Sequence, residues 1–572
     1  MIMKYIKFLT DIFTKTLIAV LLFACTVNAE PSTYAEDISV NSADKAADAE
    51  FFRYQNDDIK ASVKYNKDIS GSVIFALYSG GRLTDVNVQE IIPDGKNEYN
   101  FEGCSDNQVI KIFFWNNINK ITPLPEDCSV CVKTVDIKAP DVIKVNSDGY
   151  LAKNDGEVIQ LKGVNFGGWL IQETWMCPVL AFNGDITVRN GTENGWANLD
   201  TLDAMEELFG KDETARLIKS YQDNYITEWD FQNVKNMGFN CIRIPFWYRN
   251  FMSDEDGTYI TENDNDNPGF QRLDWACDMA DKYGLYLIFD MHGCPGGQNG
   301  DHSCGKAGRN YLYKETRYQD IMEELWVRIA DRYKNRTCIA AYDIMNEPFN
   351  NADAAHNVQS QYIADVWNND GSNILRVKVY DRMIKAIRQA DPYHVITVEG
   401  IWRMYLLPKP SDYGWTNVMY QLHSYDSDDG TTTTLVNSID DYRTKYKVAG
   451  LMGEFNPAVY NNKIVSQMNE KGISYTMWNY KTTAMLSGGT DWGLYNRIYS
   501  WEEMQDVCGD KKWGNSVMLN NINSTWSETG IMFHLGKLTT EQKKQFYTNW
   551  WTEQYLSTKN FTFNSTLSGY LN

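Results

Sequence analysis

Eight short apolar runs recur between residues 159 and 478, most of them separated by amphipathic helical patterns, and this alternation restricts the chain more than any other feature. The runs cover residues 159–166, 240–245, 285–292, 340–348, 394–400, 417–425, 448–455 and 473–478. Continuous rather than alternating hydrophobicity marks strands covered on both faces, as in a parallel sheet wrapped by helices. Helical patterns near 229–237 and 318–333 lie between runs, and 539–555 supplies a closing helix. The pattern predicts an α/β domain over residues 151–572, a (β/α)8 TIM barrel with right-handed crossovers. Insertions at 176–224, 249–270 and 499–538 lengthen it beyond a minimal barrel.

In such a barrel the carboxyl ends of the strands carry the chemistry. The stretch Tyr342-Asp343-Ile344-Met345-Asn346-Glu347-Pro348 shows the form: an apolar run ends in Asn-Glu and is stopped by a proline, which forbids further ladder pairing. The other runs end in Arg243, His292, His423 with Tyr425, Glu454 and Trp478. Two of the chain's six histidines, one arginine and two glutamates thus gather at one rim, the convergent charge that an active site requires.

The amino-terminal third reads differently. Lys4, Lys7 and Lys15 precede an apolar run over 16–27, with small residues before Glu30, so residues 1–29 read as an export signal. A lipoprotein signal cut before Cys25 is the alternative, disfavoured by the bulky Phe23. Residues 30–50 are polar and read as a spacer. Residues 51–135 alternate in short β-rich segments, such as 61–65, 73–78 and 109–115, split by Gly, Asp and Asn, which predicts a small β-sandwich. Ala76-Leu77-Tyr78 and 111–115 resemble immunoglobulin-like modules of secreted bacterial enzymes. No acid, His or metal cluster converges there, so the module reads as a spacer. Residues 136–150 read as a linker.

A formal net charge of −21 argues against nucleic acid, whose phosphates need a basic surface. Aromatics at 13% fit stacking on sugar rings as well as core packing. The early apolar run is too short and too early for a membrane span, and no second long apolar run exists. Eleven cysteines show no framework spacing; Cys128 and Cys131 form one isolated C-x-x-C, Cys241 and Cys338 read as core residues, and Cys294 with Cys304 leaves a bridge open. Asp264-Asn265-Asp266 and the acidic run 426–429 lack the ligand spacing of a calcium loop and read as solvated turns. Asn335-Arg336-Thr337 fits a glycosylation sequon.

Two carboxylates facing each other across a pocket suit glycoside hydrolysis, one giving a proton to the leaving oxygen and the other attacking the anomeric carbon. Arg243 would keep Glu454 ionised, and Tyr425 would donate to the same carboxylate. Asn346 would meet the hydroxyl beside the anomeric carbon, and Trp478 would be the floor under the sugar. Arg243, His292, Asn346, Glu347, His423, Tyr425, Glu454 and Trp478 match in type and order the active-site set of glycoside hydrolase family 5, the cellulase superfamily, which residues 150–572 resemble. The resemblance implies a retaining mechanism with Glu347 as acid/base and Glu454 as nucleophile, without cofactor or metal.

The 163–170 segment followed by Glu173 and Trp175, the loop 292–300, and 478–482 resemble the exo-β-1,3-glucanases of that family. That likeness implies that Glu173 binds hydroxyls of a terminal glucose. A departure follows: where the fungal glucanases continue with Phe-Asp-Asn-Ser-Gly, this chain reads Asp301-His302-Ser303-Cys304-Gly305 and lacks the aromatic that clamps the second sugar. Linkage preference and exo action therefore stay open. The expectation is a secreted exo-β-1,3-glucanase, monomeric, acting on β-glucan polysaccharide or oligosaccharide. The alternatives are an endo-β-1,4-glucanase, a β-glucosidase on aryl or lipid glucosides, or a non-catalytic carbohydrate-binding protein.

Overall fold

The computed structural model describes residues 47–53, 59–65, 71–79, 82–92, 96–101, 104, 108–117, 122–123, 135–136, 140–173, 176–177, 197–300, 302–306, 309–348, 370–401, 403–425, 428–457, 463–485, 492–499, 503, 506–507 and 539–571. The segment read as an export signal, the Cys128–Cys131 pair and Trp175 lie outside them. The chain forms two compact units that meet in sequence at Pro140 and Asp141.

The first unit is built from two antiparallel sheets. One orders β1 (Ala47–Arg53), β2 (Ile59–Tyr65) and β5 (Lys96–Phe101); the other orders β4 (Arg82–Glu90), β3 (Ser72–Ser79), β6 (Gln108–Asn117) and β7 (Thr122–Pro123), with β8 (Val135–Asp136) also on β6. Alternate residues of β2, β3 and β6 turn inward, so Val63, Val73, Phe75, Leu77, Ile110, Ile112 and Phe101 close one core between the sheets. Strand β1 begins inside the stretch read as spacer.

In the second unit, β9 (Lys144–Val145), β10 (Leu151–Ala152) and β11 (Val158–Ile159) form a small antiparallel sheet that begins within the stretch read as linker. Its Leu151, with Ile143 and Leu161, packs on the first residues of the barrel strands, among them Cys241, Ala340, Val395 and Ala449, and plugs the amino-terminal end of the barrel. The barrel is closed and parallel: β12 (Lys162–Asn165), β13 (Cys241–Trp247), β14 (Tyr286–Gly293), β15 (Ile339–Asp343), β16 (Val395–Glu399), β17 (Val418–Ser424), β18 (Ala449–Phe455) and β19 (Ser474–Met477), with β19 returning to β12. All eight apolar runs are strands, buried on both faces along most of their length.

The expected helices are present as Glu228–Asn236, Thr316–Tyr333 and Thr540–Trp550, the last followed by Glu553–Leu556. Two of them have a side-chain start: Thr227 and Asp230 form a capping box on the first, and Thr539 with Gln542 on the third. Helix Pro268–Tyr283 opens with proline at its first turn and ends on Gly284 in a left-handed conformation. Among the described residues, no helix is long and apolar enough to cross a membrane. The acidic turn at Asp264 is paired with Arg328, and Asp428 caps the helix Asp429–Tyr446 by accepting from Thr431 N at 2.6 Å.

Candidate active site

Arg243 was expected at a strand end; it lies inside β13, which runs on to Trp247, and no part of its side chain is exposed. A guanidinium so buried must be paired, and three carboxylates surround it: Asp343 Oδ2 at 2.9 Å, Glu454 Oε1 at 2.9 Å and Asp290 Oδ2 at 3.1 Å. It also donates to Asn165 Oδ1 at 3.1 Å and Asn346 Oδ1 at 2.9 Å, so all its directions are used. Residues 290, 343 and 454 come from three different strands, so the barrel itself assembles this cluster.

Glu347 lies beyond β15, which stops at Asp343, and its backbone is left-handed with φ of 40°. Its amide donates to Glu399 Oε2 at 2.6 Å. Its carboxylate meets His423: Nδ1 is 2.9 Å from Glu347 Oε1 and 3.5 Å from Glu454 Oε2. A register shift between Leu422 and His423 brings His423 opposite Glu454. Gly453 makes room beneath, since a Cβ there would lie 2.0 Å from Gln421 Oε1 and 3.0 Å from His423 Nε2.

Burial pushes the His423 imidazole down to about 3 against the nearby carboxylates, which keeps it neutral. Burial raises Glu454, with Glu347 adding and His423 and Arg243 opposing. Arg243 thus acts on Glu454 in the expected direction, but desolvation outweighs it. Tyr425 donates to Glu454 Oε2 at 2.8 Å. For His292, burial works downward, but Asp290 at 2.7 Å from Nδ1 carries the net shift upward.

The ring of His292 stacks on Trp478, with centroids 5.4 Å apart and planes 13° from parallel. Its Nε2 is 3.3 Å from Asn346 Nδ2 and 3.9 Å from Glu173 Oε1. Gly167 lies against Trp478, where a Cβ would meet the indole at 2.7 Å. Tyr425 and Trp492 stand beside Trp478, their rings 5.6 Å apart. Gln298 pins the loop after β14, donating to His292 O at 2.7 Å and Asn346 O at 2.8 Å. That loop brings His302 Nε2 to 3.0 Å from Glu173 Oε2, so the residue at the sequence departure reaches the site while staying partly exposed. Cys294 and Cys304 lie on the same loop and are not joined to each other by a disulfide.

All nine residues singled out in the sequence therefore join one connected group: Glu173, Arg243, His292, Asn346, Glu347, His423, Tyr425, Glu454 and Trp478. Asp290, Asp343, Glu399, Gln421 and Trp492 were missed. A lone acid inside an otherwise apolar run was the available signal for the first three. Glu347, His423 and Glu454 put donor atoms within 4.8 Å of one another, near enough to share a cation, though the same atoms already face one another in hydrogen-bonding geometry.

Residues 202–484 match the family Cellulase (glycosyl hydrolase family 5). The chain belongs to glycosyl hydrolase family 5, and it is a glycoside hydrolase. Among curated relatives, a beta-xylosidase of Phanerodontia chrysosporium is 27% identical over 381 residues, which cover 59% of this chain and 70% of the relative. A glucan 1,3-beta-glucosidase of Pichia angusta is 30% identical over 194 residues, 33% of this chain and 40% of the relative. Glucan 1,3-beta-glucosidase 2 of Saccharomyces cerevisiae is 29% identical over 136 residues, 22% of this chain and 24% of the relative. The matched stretches thus span well under half of either glucosidase. Among solved structures, a rutinosidase from Aspergillus niger covers 56% of this chain and 90% of its own, at 15% identity and a TM-score of 0.42.

Proposed function

We propose that this hydrolase cleaves β-1,3-linked glucan from the non-reducing end with retention of configuration, Glu347 acting as acid/base and Glu454 as nucleophile. The observation that carries retention is the spacing: an oxygen of Glu347 and an oxygen of Glu454 lie within 4.8 Å of each other. Inverting pairs need roughly 6.5–9.5 Å to admit a water, whereas retaining pairs stand about 5–5.5 Å apart. In the first step Glu347 protonates the glycosidic oxygen as Glu454 bonds to the anomeric carbon. In the second, Glu347 takes a proton from water, which displaces Glu454 and returns both carboxyls to their starting states.

Arg243 and Tyr425 hold Glu454 aimed at the anomeric carbon by two charged hydrogen bonds. Asn346, fixed between Arg243 and His292, meets the neighbouring sugar hydroxyl. Trp478 is the stacking floor, and Glu173 reads a hydroxyl of the terminal sugar, with His302 restraining one of its oxygens. Two relatives named glucan 1,3-beta-glucosidase support the substrate. The basic and apolar start of the chain supports export, with a lipid anchor at Cys25 as the lesser form, and the amino-terminal β unit then serves as a spacer.

The relative named beta-xylosidase, matched over the larger share of this chain, favours a second reading: a terminal β-xyloside in the same pocket. Incubation with laminarin, carboxymethyl cellulose, and aryl β-glucoside and β-xyloside, followed by product identification, decides between them. Glucose alone from laminarin, first formed as the β-anomer, is expected. Xylose release without laminarin activity would favour the second reading, and internal cutting of carboxymethyl cellulose would overturn both.

A further inference from the structure

Glu399 ends β16 at the rim of the barrel, and its side chain is fully buried. Its Oε2 accepts the amide of Glu347 at 2.6 Å, while its Oε1 finds no hydrogen-bond partner among the described residues and lies 3.6 Å from His423 Nδ1. The backbone it holds is strained: Glu347 has φ of 40°, a conformation unfavourable for a non-glycine residue that persists only where the surroundings enforce it. Glu399 is itself anchored, because Tyr380 OH lies 3.0 Å from its amide and 3.2 Å from its carbonyl.

We propose that Glu399 is a positioning residue for the proton donor, fixing the left-handed backbone of Glu347 and so aiming its carboxyl at the glycosidic oxygen. This rests on the reading of Glu347 as acid/base. Two buried cations act on Glu399 without bonding to it: Arg243 is shared among Asp290, Asp343 and Glu454, and Arg376 donates to Leu406 O. The adjoining acids Glu347 and Asp343 repel a further charge, and one oxygen has no hydrogen-bond partner among the described residues. Burial accordingly raises the Glu399 carboxyl well above its ordinary value, the two acids adding to the shift. Burial thus favours the neutral form of Glu399, and its work is the hydrogen bond to the Glu347 amide.

The test uses leaving-group dependence, which separates aiming a proton donor from general damage. A 2,4-dinitrophenyl β-glucoside needs no protonation to leave, whereas laminaribiose does. Glu399→Gln keeps an acceptor oxygen without charge, so kcat/KM should stay within about threefold of the parent on both substrates, with unmoved pH limbs. Glu399→Ala should lose about tenfold or more in kcat/KM on laminaribiose, a part of the 10²–10⁴ that general acid catalysis contributes, and little on the dinitrophenyl glucoside. Equal losses on both substrates, or a Gln variant as impaired as Ala, would overturn the proposal. Glu347→Ala is measured alongside. If it too lacks leaving-group dependence, the acid/base reading fails; if it shows the dependence and Glu399→Ala does not, only the positioning role fails.

Discussion

Arg243 Nη1 lies 2.9 Å from Glu454 Oε1, and the arginine side chain has no exposed surface. The pair sits in a cluster with more anions than cations, since Asp290 and Asp343 lean on the same guanidinium. Removing the cation leaves buried carboxylates uncompensated, so Arg243→Ala should lower unfolding stability by roughly 3–5 kcal/mol in urea titrations as well as abolish turnover. Arg243→Lys should recover little of either, because an ammonium cannot reproduce a fork that reaches Asp343, Asn346, Asn165 and Glu454 together. A lysine variant of parental stability would refute this picture of the cluster.

Tyr425 donates to Glu454 Oε2 at 2.8 Å, a bond that favours the ionised nucleophile. Burial already raises Glu454 above its ordinary value, so kcat/KM should fall on the acidic side as pH drops through that raised value. Tyr425→Phe deletes a donor to the charged form and raises the carboxyl further. The acidic limb of the kcat/KM profile should therefore move to higher pH, by roughly half a unit to one unit. A limb that stays in place while kcat falls would mean that Tyr425 acts on the sugar alone.

Much of this is legible in the sequence. The barrel strands are continuous apolar runs, and burial on both faces leaves them no other reading. Eight of the nine site residues stood out because each ended or followed such a run, whereas Glu173 stood out only through the likeness to exo-β-1,3-glucanases. Depth and coupling were not legible. Arg243 and His423 are polar positions within β13 and β17, and which neighbours they meet depends on barrel closure and on the shift at Leu422, neither of which leaves a local mark. Glu347 reads as a strand end because proline follows it, yet the strand stops at Asp343 and the backbone turns left-handed. Glu399 reads as one more polar terminus until its oxygen is found on the Glu347 amide.

Gly167 carries a demand of another kind. An added Cβ would lie 2.7 Å from the Trp478 ring, which itself stacks on His292. Gly167→Ala should push the indole out of place and raise KM for the glucan by about tenfold, of the order of a lost aromatic contact, with a smaller effect on the unfolding midpoint. An unchanged KM would argue against Trp478 as the sugar floor.

Lys481 links the site wall to the carboxyl-terminal segment: its Nζ donates to Tyr225 O at 2.6 Å and to Leu556 O, and it lies over the rings of Tyr225 and Phe561. Burial lowers its amine to about 7, against 10.5 for an ordinary lysine. Between those values the unfolded chain binds the extra proton, so this group makes stability rise with pH from about 7 to 10.5 and imposes its full cost below 7. Lys481→Met should flatten that rise in unfolding free energy measured across the window. A slope identical to the parent's would show that the amine is not the group responsible.

The account turns on Glu454 as the nucleophile of a retaining reaction, and trapping reads that directly. The enzyme is incubated with 2,4-dinitrophenyl 2-deoxy-2-fluoro-β-glucoside, digested, and the labelled peptide sequenced by mass spectrometry. A fluoroglucosyl ester on Glu454, absent from Glu454→Gln, is the predicted result. A label on another carboxylate, or turnover with inversion and no trapped ester, would contradict it.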